Sequence, residues 1–168
     1  IAIIVDKNPV KYRCDINAKD QAILKPRNTV KRGKMKFRGH SRNDNSTEKY
    51  EIGDVLVAKV ISADRLNSPE LTTVGKYLGK KRNGIIISID PPKVPRVIGR
   101  SGSMIKMLKR LTKSNIFVTQ NGRIWINGDS FELERLLIET IYKIEREAHT
   151  RGLTDRIEEF IKNEKEKR

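Results

Sequence analysis

The stretch Val97-Ile98-Gly99-Arg100-Ser101-Gly102-Ser103-Met104-Ile105-Lys106 decides the fold of the second half of this 168-residue chain. Two glycines three apart stand between a short apolar entry and a run in which Met104, Met107 or Leu108, and Leu111 recur at spacings of three and four. That spacing is one face of a helix. Glycine carries no Cβ, so its backbone can come close to a phosphate. The first amides of the helix lack intrahelical partners and sit at the positive end of its dipole. Arg100 and Lys106 add charge that a nucleic-acid backbone would neutralise. Ile98, Ile105, Ile116 and Val118 are candidate walls of a shallow apolar groove for unstacked bases. A lone Gly-x-x-Gly is a weak signal and also reads as a plain helix-entry turn, so its neighbours decide.

Those neighbours are informative. Ile85-Ile86-Ile87-Ser88-Ile89 reads as a strand, and Pro91, Pro92 and Pro95 delay any helix until Val97. Downstream, Asn115–Thr119 and Arg123–Asn127 read as strands joined at Gln120-Asn121-Gly122, and Asn-Gly is the strongest short hairpin signal. Asp129 with Glu132 resembles a capping box opening a long helix, along which Leu133, Leu137, Ile141, Ile144 and Ala148 recur. Gly152 suits the end of that helix, and Thr154 suits the cap of a last one with Ile157, Phe160 and Ile161 inward. The order is strand, helix turn, helix, strand, strand, helix. It resembles the type I KH fold (βααββα), whose loop clamps about four nucleotides of a single strand.

Charge points to the same class of ligand. The formal net charge is +15. Residues 25–49 carry a net +7 and residues 76–110 a net +9, while the remaining stretches nearly cancel. An excess held in two segments implies a polyanion more than it implies solubility. The first half reads as short strands with turns between them, at Ile1–Asp6, Lys11–Ile16, Val55–Ile61 and Glu70–Val74, which suggests a small barrel. No period survives between Pro26 and Lys49, so a long loop is expected there. Within it Phe37 stands amid Lys34, Lys36 and Arg38, a basic-with-aromatic pattern that suits single strands, although a basic segment without defined contacts reads equally well. Tyr12 and Tyr50 are the other candidate stacking aromatics of this half.

A barrel before a KH module is similar to an S1-type OB fold followed by KH. Pro91-Pro92-Lys93-Val94-Pro95-Arg96-Val97-Ile98-Gly99-Arg100, then Ile116-Phe117-Val118, Asn121-Gly122-Arg123-Ile124-Trp125 and the ending Ile144–Ile157, resemble the exosome cap subunits called ribosomal-RNA-processing protein four. The likeness is dense over residues 75–161 and thin over 1–74. It implies an α+β chain: a partial S1-type OB β-barrel over 1–75, a basic linker over 76–83, and a KH domain with a C-terminal helix over 84–168. It further implies a non-catalytic RNA-binding protein that sits in three copies on a ring of phosphorolytic subunits and guides single-stranded RNA into it. On matching positions Gly99, Arg100, Ser101 and Gly102 would hold the RNA backbone, with Lys93, Arg96 and Lys106 beside them. Two departures are expected. Ile1–Val5 looks like the second barrel strand of a fragment, leaving the barrel incomplete or patched by another chain, and residues 25–49 are longer and more basic than the family loop. A free-standing KH protein linked to the ribosome or translation is the alternative.

Other classes find little support. One cysteine, Cys14, excludes a disulfide framework, and His40 and His149 stand far apart, so no metal or cofactor is expected. No Ser/His/Asp set or P-loop is present, and the glutamates of the long helix read as its solvated face. Polynucleotide phosphorylase places KH before S1 behind a large catalytic core, the reverse of this order. No apolar run approaches the ~18 residues of a membrane span, and no signal-peptide pattern opens the chain, so a cytoplasmic protein is expected. Trp125 and the helix methionines read as packing.

Overall fold

Seven short strands build the first half of the computed structural model, which describes residues 1–29, 49–64 and 66–166. They are β1 (Ala2–Lys7), β2 (Tyr12–Asp15), β3 (Ala22–Leu24), β4 (Val55–Val57), β5 (Lys59–Ser62), β6 (Glu70–Thr72) and β7 (Gly79–Lys81). Their order in one sheet is β5-β6-β3-β2-β1-β4-β7, with β3 and β6 parallel and the other pairs antiparallel. β4 and β5 flank a single residue, Ala58, yet β4 lies beside β1 and β5 beside β6. One run of chain thus serves both sides of the sheet, which must curl towards itself into a partial barrel of the expected OB type.

Two details differ from the sequence reading. Val55–Ile61 is not one strand, because the break at Ala58 frees its first half to pair with β1 (Ala2 opposite Leu56). β1 therefore has partners on both edges, while β5 and β7 end the sheet among the described residues, so the barrel is incomplete as expected. Second, part of the basic stretch 76–83 is ordered as β7, with Gly79 opposite Val57. Lys80 reaches Asp54 at 2.6 Å. Burial opposes the Asp54 charge, but the Glu51 N–H and the Lys80 ammonium outweigh it and hold this carboxyl below the usual range. A second clasp joins the parallel pair: Glu70 accepts from Lys25 at 2.9 Å and from Asn28 at 2.8 Å, which lowers its pKa as well.

The barrel interior is small. Ala2, Ile4, Cys14, Ala22, Leu24, Leu56 and Leu71 fill it around Tyr50, which is 1% exposed. The Tyr50 hydroxyl donates to Thr73 at 3.0 Å, and its ring meets Tyr12 edge-on with centroids 5.8 Å apart. Tyr50 is therefore a core residue and not a platform for bases. Burial pushes the Cys14 thiol up to about 11.

Residues 83–168 form a second compact unit, separate from 1–82. Its elements are β8 (Ile85–Ser88), α1 (Val94–Ile98), α2 (Ser103–Thr112), β9 (Asn115–Val118), β10 (Arg123–Asn127), α3 (Phe131–Arg146) and α4 (Leu153–Glu166). The sheet order is β8-β10-β9, all antiparallel. This is the βααββα order of a type I KH domain, followed by one more helix. One face of α3 (Leu136, Leu137, Thr140, Ile141, Ile144) is fully covered, and each such Leu or Ile contributes roughly 1.5–3 kcal/mol by leaving water. Thr140 keeps its hydroxyl satisfied by donating to the Leu136 carbonyl at 2.7 Å. The expected caps shift. α3 starts two residues beyond Asp129, so Ser130 is its N-cap and accepts from the Leu133 N–H at 3.3 Å, while Glu134 takes the Gly128 N–H at 2.8 Å. Thr154 lies inside α4 instead of capping it.

Candidate RNA-backbone seat at the Gly-x-x-Gly loop

Between α1 and α2 the chain makes one tight reversal, and its two glycines do different work. Gly99 has φ +75 and ψ 169, a combination that essentially only glycine adopts. A Cβ there would stand 2.7 Å from both the Cβ and the backbone nitrogen of Met104. Gly99 is thus fixed by its own fold. Gly102 also has positive φ (+76), yet a Cβ on it would meet only Ile105 Cγ2 at 3.7 Å and Lys106 Cε at 3.8 Å. A side chain at Gly102 would therefore fit in ordinary van der Waals contact with Ile105 and the Lys106 stem. Ser101 between them takes a left-handed turn (φ 51) and is exposed.

The loop is stitched by the Gly99 N–H to Pro95 O at 2.9 Å and the Gly102 N–H to Gly99 O at 3.1 Å. The Ser103 N–H returns to Arg100 O, so it is not one of the unpaired amides expected at the start of this helix. α2 carries no side-chain cap at its N-terminus and no acidic residue in its first turn. Its positive end therefore faces the loop with nothing to offset it. Arg96, Arg100 and Lys106 are all exposed around this turn. Lys93 is placed differently. Its ammonium lies 3.0 Å from Asp90, which offsets the charge it was expected to offer.

The apolar groove is narrower than the sequence implied. Ile98, Ile105 and Val118 remain partly exposed against the core, whereas Ile116 is 3% exposed and belongs to the interior. The alternation along β9 shows which residues share a face, but it does not show how far each is covered. Trp125 is half-buried and lies on the face of β10 opposite Ile124 and Ile126, outside the core, and its ring N–H donates to the Asn83 carbonyl at 2.8 Å. Two helix glutamates prove to be ties, Glu134 as above and Glu145, which accepts from the Asp90 N–H at 2.8 Å. Lys34, Lys36, Phe37 and Arg38 lie outside the described residues.

Sequence reasoning missed the residues across from the loop. Arg151 and Thr154 share a cleft with Arg96, Gly99, Arg100 and Ser103, although about fifty residues separate the two sides. Gly152 between them was visible only as a helix stop. Among the described residues no group of three or more His, Cys, Asp and Glu side chains is placed to hold a metal. Nor is any helix among them long and apolar enough to cross a membrane.

Comparisons with known proteins agree with this fold. A family described as KH domain matches residues 84–130. The exosome complex component Rrp4 of Thermococcus kodakarensis is 42% identical over 160 residues, covering 94% of this chain and 60% of the relative. The Rrp4 of Methanothermus fervidus is 41% identical over 164 residues, covering 96% of this chain and 68% of its own length. A crystal structure of a candidate exosome complex RNA-binding protein superposes with a TM-score of 0.82 at 36% identity, covering 98% of this chain and 91% of that one. The chain spans about 60% of the Thermococcus relative. With a KH unit, a curled OB-type sheet and this identity along nearly its whole length, the chain belongs to the Rrp4 family of exosome complex components.

Proposed function

We propose that this chain is a non-catalytic cap subunit of an exosome, which binds single-stranded RNA and guides it to a phosphorolytic 3′–5′ exoribonuclease ring. Three copies sit on one ring, in the cytoplasm. The observation that carries the reading is the seat at Gly102. A side chain there would meet only ordinary contacts with Ile105 and Lys106, and no side chain caps the start of α2. Arg96, Arg100 and Lys106 are exposed nearby in the chain, and no carboxylate stands in the first turn of α2. Such a seat holds phosphates without reading bases, and base preference comes from the strip of Ile98, Ile105 and Val118. Gly99, Arg100, Ser101 and Gly102 hold the backbone, Arg96 and Lys106 add charge, and Lys93 is a weaker member because of Asp90. Lys34, Lys36, Phe37 and Arg38 offer a second contact for the same strand. The names of the relatives support attachment to an exosome.

The test is reconstitution with the ring subunits of an archaeal exosome, radiolabelled RNA, phosphate and Mg²⁺. The chain alone is expected to leave the RNA intact, to co-purify with the ring, and to raise the rate of RNA shortening several-fold when RNA is below saturation. Shortening of RNA by the chain alone would overturn the non-catalytic reading. Failure to co-purify would overturn the cap assignment.

A further inference from the structure

On its other side the Gly-x-x-Gly loop forms one wall of a cleft of about 460 Å³, and the turn at 150–155 forms the opposite wall. Three arginines line it: Arg96 and Arg100 from the loop side, Arg151 from the other. None of the three forms an ion pair with any described residue. Asp155 also borders the cleft and bonds to none of them, so the lining keeps a net positive charge. Ser103 and Thr154 line the same cleft, and their hydroxyls likewise have no partner among the described residues. Three unpaired arginines along one cleft give it a positive potential that favours an anion. A planar fork of donors beside hydroxyl donors is the set that fits a tetrahedral, doubly accepting phosphate.

We infer that this cleft is a second phosphate seat, which takes an internal phosphodiester of a nucleotide flanking those held at Gly102. The inference rests on the RNA-binding reading of the loop and extends it, since Arg96 and Arg100 would serve both seats. The strand then crosses the loop from the apolar strip at Ile98 and Ile105 to Arg151, so the binding site is longer than the four nucleotides of a bare KH clamp. Arg151 sets how many nucleotides count towards affinity, while Gly102 sets whether the strand binds at all.

The experiment compares a four-nucleotide and an eight-nucleotide oligouridylate, both without terminal phosphates, on the full chain and its variants over a salt series. With Arg151→Glu, affinity for the octamer is expected to fall about tenfold, as for loss of one charge-assisted contact. The slope of log affinity on log salt should flatten by about 0.7. Affinity for the tetramer should stay unchanged, and Arg151→Gln should show the same pattern to a smaller degree. Arg151 is exposed, so both variants are expected to melt like the parent. Unchanged octamer affinity and slope would overturn the second seat while leaving the loop reading intact, and so would equal weakening of both lengths. If Gly102→Asp left both lengths bound as before, the loop reading itself would fall and this inference with it.

Discussion

Replacing Gly102 with Asp is expected to leave the KH unit folded and to weaken single-stranded RNA binding by tenfold or more. Room exists for the new side chain, because the nearest atoms to a Cβ are 3.7 and 3.8 Å away. The backbone at φ +76 costs a non-glycine residue on the order of 1 kcal/mol, and Asp is among the residues that tolerate this region best. The carboxylate would then stand where a phosphate is seated, next to the uncapped start of α2. Repulsion replaces attraction, and the charge contribution of Lys106 beside it is lost as well. Fluorescence anisotropy with a labelled oligouridylate reads the affinity, and a thermal melt reads the fold. Parent-like affinity in a folded variant would move the RNA footprint to the basic segment 25–49.

The second large effect concerns the other glycine and has the opposite character. Gly99→Ala places a methyl group 2.7 Å from the Met104 backbone nitrogen and Cβ, at a φ and ψ that suit essentially only glycine. The neighbour is backbone, so it cannot swing aside. Either α2 shifts or the loop opens, at roughly 3 kcal/mol or more. For a unit of this size that corresponds to a fall in melting temperature on the order of 10–20 °C. RNA affinity would fall only as a consequence of the altered loop. A Gly99→Ala chain that melts like the parent would contradict the close packing of this turn. Together the two variants separate a glycine required by the fold from one required by the ligand.

The KH half was legible because each of its elements has a strong local cause. A three-and-four rhythm marks α2 and α3 and Asn121-Gly122 closes the β9–β10 hairpin, whereas α1 starts at Val94 with Pro95 in its first turn, earlier than the Val97 that the proline spacing implied. The misplaced caps show the limit of such signals. Asp129 and Ser130 are both good N-cap residues, and which one stands at the end of the helix depends on how the face from Leu136 to Ile144 packs in the core. The barrel was harder to read, since β3 and β7 are three residues each and carry no period of their own. The parallel β3–β6 pairing and the division of one run between β4 and β5 arise from sheet closure, a contact between distant segments. Tyr50 illustrates the same point: an aromatic in a basic, polar context read as a stacking residue, yet it fills the centre of a small core. The cleft at Arg151 was invisible for a related reason. Loop and turn are far apart in sequence, and only the packing of α4 on the KH core brings them together.

Photo-crosslinking of the full chain to a 4-thiouridine-substituted single strand, followed by mapping of the linked peptides, bears most directly on the seat at residues 99–102. Links are expected within 96–106, with a further set near Arg151 on the longer strand, and Gly102→Asp should erase those at the loop. Links confined to residues 1–82, with the loop peptide untouched, would contradict the idea that this turn grips the ribose-phosphate chain.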